Sequence, residues 1–170
     1  MPTVERPAMS DYGVPADPDG ALPWSWAAER LAANRNYWVV TVSADRRPAS
    51  MPVWGVWLDD TERFWFSTSP NSRKARNIAV NPHVAVLIDD TVECVSLEGR
   101  ARLADLERDA SAVDAVVAAF LAKYYEDPGT HEEAAAFIRG HAMYEVAPER
   151  AFGIIERAEE FASKATRWRW

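Results

Sequence analysis

The stretch Phe64-Trp65-Phe66-Ser67-Thr68-Ser69-Pro70-Asn71-Ser72-Arg73-Lys74 changes character twice. It opens with aromatic residues typical of a strand. Thr68 to Asn71 then supplies turn chemistry, and Ser72 is a helix N-cap residue followed by Ala75, Ile78 and Ala79 as the inward positions of a short helix. A strand that passes through a polar turn into a helix start is suited to holding an anion. The hydroxyls of Thr68, Ser69 and Ser72 and the free amides of the first turn all donate, and the helix dipole adds partial positive charge. Arg73 and Lys74 complete the set. Charge-assisted hydrogen bonds contribute roughly 1.5 to 3 kcal/mol each, so two or three would anchor a phosphate. The same residues also describe a capped helix with a solvated basic end, and chemistry alone leaves both readings open.

Working outward, Tyr37–Ser43, Ala49–Leu58 and Arg63–Ser67 read as consecutive strands. The polar junctions Ala44 to Pro48 and Asp59 to Glu62 separate them, so the acidic pairs Asp59-Asp60 and Asp89-Asp90 are turn residues rather than catalytic carboxylates. Asn81-Pro82 stops the short helix and His83–Ile88 resumes the sheet. Val95, Leu97, Gly99, Ala101 and Leu103 alternate with polar residues, as in a strand with one buried face. Asp105 to Glu126 is an amphipathic helix with Val113, Val116, Val117, Phe120, Leu121 and Tyr124 on one stripe, and His131–Arg139 is a shorter one. Met143–Val146 and Ala151–Ile155 bring the count to about seven strands, and an aromatic, basic tail ends the chain. Upstream, Trp26, Ala27, Leu31 and Ala32 mark a lid-like first helix. Many antiparallel strands with helices between them, and no strand-helix-strand alternation, predict a mainly β, α+β fold: an antiparallel split β-barrel, closed or half closed.

Composition narrows the function. A chain of 170 residues buries the core of one domain without disulfides or metals. Residues 1–21, with four prolines and scattered acids up to Gly20, are predicted as a flexible N-terminal arm ahead of a domain spanning 22–170; they contain no signal-peptide or membrane-spanning run. A net charge of −7, with no basic run beyond Arg73-Lys74-Ala75-Arg76, excludes a general nucleic-acid binder. Cys94 is the sole cysteine and His83, His131 and His141 are scattered, which argues against disulfides and zinc and fits a reducing cytoplasm. Eight tryptophans are a surplus of aromatic surface. Trp54 and Trp57 lie on opposite faces by strand parity, so one of them is free to stack on a cofactor, a substrate or a second subunit.

Thr68, Ser72, Arg73, Lys74 and Ala75 at the end of a strand resemble the phosphate-binding signature of the pyridoxamine 5′-phosphate oxidase family of flavoproteins. Met51-Pro52-Val53-Trp54 and the closing Thr166-Arg167-Trp168 resemble its flavin/deazaflavin oxidoreductase branch, so the likeness runs from about Trp24 to Trp170. The resemblance implies FMN, or alternatively coenzyme F420, with its phosphate at Thr68, Ser69, Ser72, Arg73 and Lys74. It places the ring against Pro52, Val53 and Trp54. Pro52 suits an interrupted ladder because it has no amide, though it also reads as an ordinary edge or bulge residue. The resemblance further implies a homodimer in which Arg167 and Trp168 reach the cofactor across the interface; packing of the terminal tryptophans on their own barrel is the alternative.

Two departures shape the expectation. Arg167-Trp168-Arg169 replaces an Arg-x-His substrate motif, which argues against oxidation of pyridoxine phosphate, and Cys94 falls where the family has a ring-contacting glutamine. A bound flavin or deazaflavin supplies its own hydride chemistry, so no acid-base triad is expected. The activity implied is hydride transfer to a small conjugated acceptor. The alternatives are a non-catalytic split barrel that binds flavin, haem or another tetrapyrrole, and a purely structural dimer.

Overall fold

The computed structural model describes residues 1–170. Eight strands are present: β1 (Thr3–Glu5), β2 (Asn36–Val42), β3 (Pro48–Leu58), β4 (Arg63–Thr68), β5 (His83–Ile88), β6 (Glu93–Leu103), β7 (Ala142–Ile155) and β8 (Thr166–Arg169). Five α-helices lie between them: α1 (Trp24–Ala33), α2 (Arg73–Val80), α3 (Ala110–Tyr124), α4 (His131–Arg139) and α5 (Ala158–Lys164). The strands run in the order β1-β8-β7-β4-β3-β2-β5-β6, and a further β6–β7 pairing closes six of them into an antiparallel barrel. This is the predicted split β-barrel.

Two strands divide their pairing. β7 bonds β4 through Ala142–Val146 and then continues beside β8 through Arg150–Gly153. β3 pairs β2 from Pro48 to Trp54 but shares only Gly55–Leu58 with β4. Its first half therefore keeps one edge without a strand neighbour.

Inward residues of the strands, among them Tyr37, Val39, Trp57, Phe64, Phe66, Val86, Val95 and Leu97, form one core cluster. The two ends of this core are closed by helices. α1 inserts Ala27 and Leu31 at one end, and Trp24 packs edge-on against Trp57, Trp168 and Trp170, so α1 is a plug rather than a lid. α2 closes the other with Ala75 and Ile78, and the buried Asn77 amide donates to Thr41 Oγ1 at 2.9 Å. Asn77 takes the inward place expected of Ala79, which is exposed, and Leu103 is exposed beyond the barrel wall. α3 and α4 cover the outer face of β3, β4 and β7 through a second cluster around Val56, Trp65, Phe120 and Met143.

The N-terminal segment is fastened rather than free. Thr3–Glu5 pairs β8, and the buried Arg6 guanidinium donates to the carbonyls of Asp17, Asp19, Ser163 and Ala165 at 2.6 to 2.9 Å. Four carbonyl acceptors around one cation fix the arm without any apolar run. The two short strands read near the end of the sequence are one fourteen-residue β7, which stays continuous because an irregularity at Glu98/Gly99 of β6 absorbs the register shift beside Pro148.

Gly153 lies beneath the tryptophan cluster, where an added Cβ would stand 2.5 Å from the Trp168 ring and 3.0 Å from that of Trp26. Gly153→Ala is expected to destabilise the chain by about 1 to 3 kcal/mol through overpacking, read as a lower urea midpoint. An unchanged midpoint would mean that the tryptophans move aside at no cost.

Candidate functional site

β4 ends in the polar turn because its inward aromatics stop at Phe66; Ser67 and Thr68 are half-buried at the rim and Ser69 is exposed. The turn is internally braced. Ser72 N–H donates to the Ser69 carbonyl at 2.9 Å, Asn71 N–H to Ser69 Oγ at 3.3 Å, and Arg76 to the Asn71 carbonyl at 2.6 Å. Ser72 caps α2 as predicted, its Oγ accepting from Ala75 N–H at 3.1 Å. The amides of Arg73 and Lys74 precede the first helical bond and have no partner in the chain.

The charge placed here has the wrong sign for a helix start. The positive end of a helix dipole favours acidic residues, worth typically 0.3 to 1 kcal/mol each. α4 and α5 follow that rule with Glu132-Glu133 and Glu159-Glu160, whereas α2 has no acid in its first turn and carries Arg73, Lys74 and Arg76. Neither Arg73 nor Lys74 has a carboxylate partner, although most other arginines near the barrel do. Lys74 is partly buried, and burial pushes its ammonium below the ordinary lysine range. Unmatched cations, free amides and hydroxyls at one helix start fit a phosphoryl group.

The unpaired edge of β3 adjoins this turn. The Tyr124 hydroxyl accepts from Gly55 N–H at 3.0 Å and lies 2.8 Å from the Gly55 carbonyl and 2.7 Å from that of Arg35, sharing its one proton between them. Gly55 thus turns its backbone toward the β2 side. By antiparallel alternation, Ser50 and Pro52 turn theirs toward the open side. Pro52 has no N–H to leave unsatisfied there. Val53 points into the core, and by the same alternation its backbone faces β2, where Tyr37 is its partner, so it lies behind the open edge. Trp54 is 46% exposed and stacks on Tyr124 with ring centroids 4.6 Å apart and planes 8° from parallel, whereas Trp57 is core. Trp38, directly across from Pro52, is 44% exposed.

The C-terminal residues do not join this surface. Trp168 is fully buried among its own chain's aromatics, and Arg167 pairs with Glu5 of β1 at 2.7 Å. Within the chain, β8 alternation sends Trp168 into the core, so it packs on its own barrel, the alternative expected for the terminal tryptophans, and Glu5 of β1 is the counter-ion of Arg167. Cys94 is half-buried on β6, separated from β3 by β2 and β5, and burial raises its thiol above the usual range. Asp59-Asp60 and Asp89-Asp90 lie in the connections between strands, as expected. The part played by Tyr124 was missed, because its place on the apolar stripe of α3 says nothing of its hydroxyl.

Five cavities of about 240 to 530 Å³ lie away from Thr68–Lys74 and Pro52–Trp54. The largest, about 530 Å³, lies among His83, Glu98, Glu149, Arg150, Arg169 and Trp170.

Fold and surface together define a split-barrel protein with a basic, acid-free helix start and an unpaired strand edge. Residues 27–154 match the family model described as pyridoxamine 5′-phosphate oxidase, and the chain belongs to that family. Among solved structures, the conserved hypothetical protein Rv2991 of Mycobacterium tuberculosis is similar, with a TM-score of 0.69 and 18% identity over 82% of this chain and 88% of that one. HutZ, the heme storage protein of Vibrio cholerae, gives 0.57 at 20% identity over 76% of this chain and 91% of that one. A pyridoxamine 5′-phosphate oxidase-related, FMN-binding protein of Nostoc punctiforme also gives 0.57 at 20% identity, over 80% and 85%. No curated protein matches the sequence. No helix is long and apolar enough to cross a membrane.

Tyr124→Phe keeps the ring stack but strands the Gly55 backbone. It is expected to cost about 1 to 3 kcal/mol, measured by urea unfolding followed through tryptophan fluorescence. A loss below about 0.5 kcal/mol would show that the hydroxyl does not hold β3.

Proposed function

We propose that this protein binds a flavin-type cofactor, FMN or alternatively coenzyme F420, and works as an oxidoreductase that passes a hydride to a small conjugated acceptor. The observation that carries the reading is the start of α2, where Ser72, two unengaged amides and the unpaired Arg73 and Lys74 stand together with no acid among them. Thr68 and Ser69 add hydroxyl donors at the same turn. When bound, the flavin or deazaflavin supplies the hydride chemistry, which is why no nucleophile-base pair is required. The chain's own tasks are to hold the phosphate at this turn and to offer the Pro52–Trp54 edge to the ring. Val53 supports that edge from behind, its side chain in the core and its backbone toward β2.

The unpaired edge of β3 and the half-exposed Trp38 and Trp54 support a homodimer whose second copy covers this surface. Oxidation of pyridoxine phosphate is not part of this reading, because the terminal Arg167-Trp168-Arg169 offers no histidine and all three of its side chains are engaged within the chain. The structural likeness to a heme storage protein favours a second reading, non-catalytic binding of a tetrapyrrole. A cytoplasmic location suits the single free thiol.

Titration of the apo chain with FMN, F420 and hemin separates these readings. Saturable flavin or F420 binding is expected, and Lys74→Ala weakens it at least about tenfold, equivalent to about 1.4 kcal/mol. Unchanged affinity in the variant would remove the anchor assignment. Binding of hemin alone, with a Soret band, would establish the second reading instead.

A further inference from the structure

Beside the end of α1 stands a lysine, Lys123, to which the cofactor reading gives no part. We propose that Lys123, held between Tyr37 and the end of α1 with no carboxylate beside it, is a reactive amine that takes the acyl group of a small acyl phosphate.

Its Nζ donates to Tyr37 Oη at 2.7 Å and to the Ala32 carbonyl at 2.9 Å, which leaves one of three donor directions free. The Tyr37 and Tyr124 rings lie 4.9 and 5.7 Å from it. The Tyr37 hydroxyl in turn donates to the Leu31 carbonyl. The remaining charged group near Nζ is the Arg35 guanidinium, from the connection between α1 and β2. Asp89, at the far end of β5, acts on Tyr37 and forms no ion pair with Lys123. Both acceptors around Nζ are neutral, and the only charge near it repels an ammonium.

Burial, with Arg35 adding to it, pushes Lys123 down to about 8. Near that pH about half of the amine is neutral, against less than about 1% of an ordinary lysine. Lys123 is half-buried and its Ala32 contact lies at the surface, which is the side from which a small reagent would approach Nζ. In the reaction, the nitrogen lone pair forms the N–C bond at the acyl carbon. The C–O bond to phosphate breaks with its electron pair, inorganic phosphate leaves, and the displaced proton passes to solvent. Acylation removes the positive charge from the carbonyl end of α1 and weakens the tether between α1 and α3.

The chain has only three lysines, Lys74, Lys123 and Lys164, so the competition can be read directly. The intact apo protein is treated with limiting acetyl phosphate between about pH 6.5 and 9.5, a range that brackets the shifted midpoint, and each lysine is quantified by peptide mass spectrometry. Lys123 is expected to react at least about fivefold faster than Lys164, with its rate levelling above about pH 8. A rate no higher than that of Lys164, or one still climbing at about pH 9.5, would overturn the proposal. NMR titration of the lysine side chains gives an independent check. A Lys123 midpoint near 8 is expected, and one above about 10 would overturn the assignment even if some acylation occurred. Neither measurement uses a flavin, so failure here leaves the cofactor reading intact, and failure of cofactor binding leaves this site intact.

Discussion

The structure depends on one asymmetry: β3 is hydrogen-bonded along one side from Pro48 to Trp54, but along the other for only four residues. In a closed barrel an unpaired edge is a liability, because it exposes a row of donors and acceptors. Here the chain divides the problem. Pro52 removes one donor from the open side, and the Tyr124 hydroxyl secures Gly55 at the point where pairing to β2 ends and pairing to β4 begins. A side chain at Gly55 would strike the Phe64 ring, with an added Cβ 2.3 Å from it, so the crossing point is fixed by packing as well as by bonds. β4 then parts from β3 after Phe66 while it stays paired with β7 to Thr68, and the turn on which the candidate site is built follows directly.

The turn holds its place because α2, directly after it, is anchored in the core. α2 is short, and helices of such length are marginal unless tertiary packing supports them. Ala75 and Ile78 enter the barrel core, and Asn77 reaches Thr41, a buried polar pair that satisfies both partners. At the other end α1 uses larger groups for the same purpose, with Trp24 meeting three further tryptophans. The eight tryptophans are therefore divided in role. Trp24, Trp57, Trp65 and Trp168 are buried, whereas Trp38 and Trp54 stand half-exposed beside the split edge.

The residues of the sequence disclosed the strands whose alternation is plain and the helix starts whose capping is local. β2 to β6, the Ser72 cap and the stop at Asn81-Pro82 all rest on neighbouring residues. What stayed hidden depends on partners far along the chain. β1 has three residues and exists only because β8 pairs with it. Arg6 orders the arm through carbonyls as far away as Ala165. The tail resembled a cofactor-contacting segment in composition, yet the parity of β8 and the place of Gly153 under the Trp168 ring decided its burial. At the site, the donors were legible because a helix start declares its own chemistry, and Pro52 suited an interrupted ladder without giving its extent. The gap arises from register, which no local pattern around Pro52 encodes.

The start of α2 also shows where stability and function diverge. A helix whose first turn carried Asp or Glu would gain from its dipole, as α4 and α5 do, and nothing in the packing of Ala75 or Ile78 would prevent such a choice. The chain instead keeps Arg73, Lys74 and Arg76 together there while its overall charge is negative, so acidic residues were not in short supply. Like charges at a positive helix end raise the free energy of the empty folded state. A bound anion reverses each of those contributions, and by linkage it stabilises the fold by an amount set by its concentration over its dissociation constant. The same first turn is thus an unfavourable helix start when empty and one that a bound phosphoryl group would stabilise.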